Sequence, residues 1–156
     1  MYASYADYVS YFGEDISQQE FRRFANEADR AMDRATTGID NVKKLKVAFP
    51  QKDTDVVIFC ACKIINCLKQ IADIQASTGF SEGTNGTTGK VIASISSGNE
   101  SISYTSGDTA ITRAAVDVSE KSKLIADVIK SSFSGVTDAN GVNLMYMGVY
   151  PCTVTQ

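Results

Sequence analysis

Hydrophobic positions along this chain fall into three long stripes of helical period, separated by polar connectors. The first stripe opens at Ser17, where Ser17-Gln18-Gln19-Glu20 has the spacing of a capping box. Behind it Phe21, Phe24, Ala25, Ala28, Ala31, Met32 and Ala35 recur at three- and four-residue steps, while Arg22, Arg23, Asp29, Arg30, Asp33 and Arg34 take the other faces. The spacing predicts an amphipathic helix over 17–37, ending near Gly38, whose missing side chain tolerates a left-handed cap. Upstream, Tyr2, Tyr5, Tyr8, Val9, Tyr11 and Phe12 form an aromatic cluster that reads as a short helix laid over the core.

The second helix is expected over 53–77, with Asp53 and Asp55 at the positive end of its dipole. From Val56 to Cys62 every residue is apolar, and polar groups enter only at Lys63, Asn66, Lys69, Gln70 and Asp73. Most of its circumference therefore needs protein cover, some of which a neighbouring subunit could supply. The run stops well short of the ~20 residues that span a bilayer, so no membrane contact is expected. A third stripe, Ala110, Ile111, Ala114, Ala115, Val118, Ile125, Val128, Ile129 and Phe133, predicts a helix over 109–134, capped by Asp108 and closed by Gly135.

Between the second and third helices the chain turns rich in Ser, Thr and Gly. Residues 78–89 read as a linker, and Lys90–Ser96 and Ser101–Thr105 as strands around a Ser97-Gly98-Asn99-Glu100 turn, a hairpin over 90–106. An isolated two-stranded hairpin is marginal in water and its edges invite another chain. The C-terminal arm, 142–156, begins with the apolar, aromatic run Val142–Pro151, which needs cover from a partner or from the protein's own helix groove. The fold class is thus mainly α: a small helical bundle with a protruding β-hairpin and an extended C-terminal arm, in one 156-residue domain.

Composition narrows the function. A chain that is 44% hydrophobic and 21% charged has an ordinary globular balance, and its size hides roughly two-thirds of the unfolded surface without help from metal or disulfide. The net charge of -3 offers no broad attraction for a polyanion, and the absence of His removes the commonest base near neutral pH and the commonest zinc ligand. The first eleven residues lack the basic start and apolar block of a secretory signal, so synthesis in the cytoplasm is expected. Cys60, Cys62 and Cys67 lie inside one helical pattern at spacings unsuited to disulfides, and with Cys152 they read as reduced, buried hydrophobes.

Candidate chemistry is thin. Gly83–Gly89 is glycine-rich but lacks the spacing and the Lys-Ser/Thr of a phosphate loop. Asp29 and Asp33 alternate with Arg30 and Arg34 and read as a solvated, ion-paired face. Lys43, Lys44, Lys46 and Lys52 form a basic cluster, read as solvated surface; the alternative of another class is a small helical regulator that binds nucleic acid through Lys43, Lys44 and Lys46. No Ser, Thr or Lys is flanked by an activating base, so neither an enzyme nor a cofactor is expected.

The order of elements, together with Ser94-Ile95-Ser96-Ser97-Gly98-Asn99-Glu100-Ser101-Ile102-Ser103-Tyr104-Thr105-Ser106-Gly107 and Asn143-Leu144-Met145-Tyr146-Met147-Gly148-Val149, resembles the head-tail connector (adaptor, head-completion) proteins of long-tailed bacteriophages and their prophages. The resemblance covers nearly the whole chain, and many of those proteins carry a basic residue where Met147 stands. It implies a virion protein of the neck, assembled in the host cytoplasm as a dodecamer-like ring of identical subunits. Such a ring docks under the portal protein, offers a platform to the tail or a stopper protein, and lets genomic DNA pass its lumen without specific binding. A tail-completion or minor tail protein is the nearest alternative. Ring contacts made head to tail need two different surfaces, for which the apolar central helix and aromatic N-terminus are candidates. Strand addition assigns partner contacts to Val91, Ile92, Ile95, Ile102 and Tyr104 of the hairpin and to Leu144, Met145, Tyr146 and Val149 of the arm.

Overall fold

Two capping boxes set the register of the N-terminal helices. Ser4 accepts from the Asp7 amide and Asp7 answers at the Ser4 amide, starting α1 (Tyr5–Phe12). Ser17 and Glu20 repeat the device at the head of α2 (Gln18–Thr36), as their spacing predicts. The structure is a computed structural model that describes residues 1–47, 54–77, 109–151 and the backbone of 94–97 and 100–103. Its further helices are α3 (Lys44–Val47), α4 (Thr54–Ser77), α5 (Ala110–Val116) and α6 (Val118–Phe133). The chain is mainly helical, as the sequence pattern predicts.

The protruding hairpin expected over 90–106 is not seen at that extent: the described residues hold only a backbone ladder of four residues a side, β1 (Ser94–Ser97) antiparallel to β2 (Glu100–Ser103) with Ile95 opposite Ile102. These serine-dominated strands have little apolar surface with which to build more. Residues 90–93, 98–99 and 104–106 lie outside the described residues, as does the 78–89 linker.

The chain divides into two compact units, Met1–Asn66 with Ile125–Gln156, and Cys67–Leu124. In the first, the aromatic N-terminus packs on the core through Tyr5 and Tyr8, while Tyr11 stays exposed. Tyr8 is fully buried, its ring tilted over Phe12 and Phe21 at 5.4 and 6.0 Å, and Tyr5 meets Phe21 edge-on at 5.6 Å. Their hydroxyls are satisfied locally, Tyr8 donating to Asp15 and Tyr5 to the Ile16 carbonyl. The apolar part of α4 is likewise covered by its own chain: Val57, Cys60, Ala61, Cys62, Ile64 and Ile65 are buried. Phe59 is the exception on this stretch, 40% exposed.

Cys60 and Cys62 are reduced and buried, which pushes their thiols up to about 11 and about 12, and Cys67 is reduced and half-buried; Cys152 lies outside the described residues. In the second unit Ile71, Ala114 and Ala115 form a small core, flanked by Ile74, Ile111 and Leu124, and Gln75 donates to the Ala115 carbonyl at 2.9 Å.

Three boundaries differ from the expected ones. The third helix is two helices, because Asp117 adopts extended backbone and its carboxylate accepts from the amide and hydroxyl of Ser119 at 2.7 Å each, stopping α5 and starting α6. Thr109, not Asp108, caps α5, pairing with Thr112 in a third box. Gly38 is not a left-handed cap: Thr37 closes α2 in extended backbone, and Gly38 serves a close approach described below.

Candidate interaction surface

Position 44 carries one of the charged side chains buried among the described residues. The lysine cluster reads from sequence as solvated, yet Lys44 is completely inaccessible. It opens α3, a four-residue helix that the sequence reading leaves as connector. Its ammonium donates to the Leu144 carbonyl at 2.8 Å and to the Tyr146 carbonyl, and lies 6.0 Å from the Tyr146 ring. Burial lowers its pKa below the ordinary lysine value, while Asp138 and then Asp40 pull it back up. Lys46 is engaged as well, 3.0 Å from Asp33. The lysine-based nucleic-acid reading thereby loses two of its three cations.

Two aspartate turns close around this lysine. Asp40 accepts the Val42 amide at 3.2 Å and the Tyr150 amide at 2.6 Å. Those bonds, the Tyr150 one foremost, hold the Asp40 carboxyl below the usual carboxylate range. Asp138, buried, accepts the amides of Asn140 and Val142 at 2.9 Å each and the Tyr150 hydroxyl at 2.5 Å. Burial raises the Tyr150 phenol, with Asp138 adding to the rise and the Asn140 amide opposing it. Tyr150 is thus a clasp between the two turns, its backbone on one and its side chain on the other. Among the described residues no buried polar side-chain atom is left without a partner.

The clasp overturns the extended arm. From Val142 to Tyr150 the chain folds back on its own unit: Asn143 bridges Thr137, the Leu144 amide donates to Val136, and the Ile39 amide donates to Met147 at 3.1 Å. Gly38 permits the last approach, since a Cβ there would lie 2.5 Å from the Gly148 carbonyl oxygen. Leu144 is buried in its own chain and leaves the set of partner contacts, and Met145 is half-buried. Tyr146 and Val149 remain exposed, Val149 at 61%.

Beside them stand two residues that sequence reasoning missed. Ile39 is 73% exposed and Met147 is exposed too, on the adjoining backbone. A signal for Ile39 existed, an isoleucine inside the turn-like Gly38-Ile39-Asp40-Asn41. Ile39, Tyr146, Met147 and Val149 are thus four exposed apolar side chains on backbone that the Lys44 and Tyr150 hydrogen bonds tie down. Of the hairpin candidates, Val91, Ile92 and Tyr104 lie outside the described residues, and Ile95 and Ile102 are placed by their backbone alone.

A separate open groove of about 580 Å³ is lined by Tyr11, Asp55, Val56, Phe59, Lys63, Ser131 and Ser132. Tyr11 and Phe59 pair edge-on at 5.0 Å, and the Lys63 ammonium lies 5.6 Å from the Phe59 ring.

Among the described residues no three His, Cys, Asp or Glu side chains are placed to hold a metal ion, and no helix is long and apolar enough to cross a membrane. No family model, no curated protein and no solved structure matches this chain.

Proposed function

We propose that this chain is a structural virion protein, a ring-forming head-tail connector that docks under a portal protein and presents the platform for a tail or stopper protein. The observation that carries the reading is the set of exposed apolar side chains Ile39, Tyr146, Met147 and Val149, on backbone that the Lys44–Tyr150 clasp ties down. Exposed apolar side chains held on fixed backbone mark a contact with other protein. A set of this kind suits stacked rings, where each subunit must offer the same surface in the same orientation.

The test has to spare the clasp. Cutting the chain after Gly141 removes Leu144 and the carbonyls that Lys44 binds, so it damages folding as well as contact. The double variant Met147→Asp and Val149→Asp changes exposed side chains alone. In the genome that encodes the protein, electron microscopy of the particles made with this variant should show DNA-filled heads without tails, with the variant protein folded and abundant. Normal tailed, infectious particles would overturn the reading.

A further inference from the structure

Three side chains of α4 line the open groove one helical turn apart. Asp55, Phe59 and Lys63 stand at i, i+4 and i+8, a carboxylate, a ring and an ammonium along one ridge of the helix. Asp55 and Phe59 are exposed and Lys63 is half-buried. About 12 Å of helical rise separates the two charges, too far for them to neutralise each other. Neither enters an ion pair among the described residues, and Lys63 only lies over the Phe59 ring. No other charged side chain among the described residues lines the groove. It is therefore neutral as a whole and polarised from end to end.

That polarity selects the occupant. A partner of one sign gains at one end of the row what it loses at the other, whereas a partner polarised the opposite way gains at both. An acid, aromatic, base row read backwards is base, aromatic, acid, so the row is its own complement once turned round. Two copies of α4 packed antiparallel, ridge beside ridge, bring the Asp55 of each to the Lys63 of the other and set their Phe59 rings together. Tyr11, 46% exposed and edge-on to Phe59 at 5.0 Å, makes the centre of such a contact four rings. An aromatic centre flanked by paired charges is the arrangement that anchors protein interfaces.

We propose that this face of α4 is a two-fold interface with a second copy of the chain, closed by two Asp55–Lys63 pairs around the Phe59 and Tyr11 rings. A contact that uses the same patch on both subunits is complete at two copies and builds no ring. It does not rest on the connector reading, and it gives the free chain a state of its own, a pair that cannot grow through this face.

The test is a charge swap on the full chain, read by sedimentation velocity across a concentration series. The wild type should form dimers with a Kd below about 1 mM. Raising the salt from about 0.02 to about 0.5 M should weaken them about fivefold. Asp55→Lys and Lys63→Asp each replace two attractions by two repulsions, and each should weaken the dimer about tenfold or more. Asp55→Lys also brings the acidic chain nearer neutrality, which by itself favours association, so a loss there reports the pairing. Both changes on one chain merely exchange the ends of the row, and should restore the dimer to within about threefold of wild type. An unaltered thermal transition checks that each variant folds. Should Lys63→Asp melt early, Asp55→Lys and the salt series decide. A wild-type chain monomeric up to about 1 mM, or one whose larger species form without a dimer, overturns the interface. So does a dimer indifferent to salt or to Asp55→Lys, or a folded double variant no stronger than the single ones. None of these results alters the count of tailless particles by which the connector reading stands or falls.

Discussion

Two loops, at 37–43 and 137–143, are built alike and bear unequal loads. Each follows a long helix, α2 or α6, and each closes with an isolated bridge, Thr37 to Lys43 and Thr137 to Asn143. Each holds an aspartate that gathers amides two to four residues on, and a left-handed residue, Asn41 at φ 61° or Gly141 at φ 78°. Asp138, however, is buried and takes three donors, whereas Asp40 lies nearer solvent and takes two from outside itself. The same local turn is a surface ornament or a structural anchor according to how much water it loses, because an unsatisfied buried acceptor has no substitute partner. Lys44 makes the two loops interdependent: its charge is felt by both aspartates, and its protons go to the segment that joins the second loop to Tyr150.

The hardest way to break this pairing is to remove the charge they share. Lys44→Met keeps the stem but strands two buried carbonyls and removes the cation facing Asp138, and should cost about 4 kcal/mol. Thermal denaturation would show it as a fall of about 12 °C in a chain of this size. A loss under about 1 kcal/mol would mean that water reaches Lys44 and that the clasp is not closed. Gly38→Ala comes next, at about 2 kcal/mol, because the new methyl meets the Gly148 backbone carbonyl, which cannot swing aside. Gly148→Ala is the control: its methyl meets the outer end of the exposed Tyr146 ring, a side chain free to move, so its cost should be the smaller. Equal losses at the two glycines would put the constraint in the backbone turn and not in the crossing.

What could be read from sequence followed the range of the interaction. Ser17 and Glu20 act across three residues, so the start of α2 is visible in the chain itself. Asp117 breaks the third helix with equally local bonds to Ser119, but the apolar stripe runs on through it and hides the stop. Lys44 shows the limit. Nothing near it in sequence signals burial, since its partners are Leu144 and Tyr146, a hundred residues on. The hydrophobicity of the arm correctly demanded cover, yet sequence could not say whose, and Leu144 found it within its own chain. Ile39, Met147 and Val149 are exposed only as a consequence of that fold-back, which is why the candidate surface could be half anticipated at most.

The gentlest cut separates the loops without unseating either. Tyr150→Phe keeps the amide bond to Asp40 and deletes only the hydroxyl that Asp138 accepts, so it should cost about 1 kcal/mol at neutral pH. Its pH dependence is the sharper readout. The Tyr150 phenol is raised in the folded protein by burial and by Asp138, so the unfolded chain gives up that proton first, near 10.0. Stability from this group is therefore complete below that pH and is lost as pH climbs toward the folded value. Lys44 and Tyr2 titrate in the same region with opposite signs, lowered and raised respectively, but both are present in wild type and variant alike. In the difference they cancel. Urea denaturation at stepped pH should show the gap between wild type and Tyr150→Phe constant from pH 7 to 9 and narrowing above 10. A gap that widened there would mean that the phenolate is the form Asp138 tolerates, and the hydrogen bond that makes the second loop the stronger anchor would have to be abandoned.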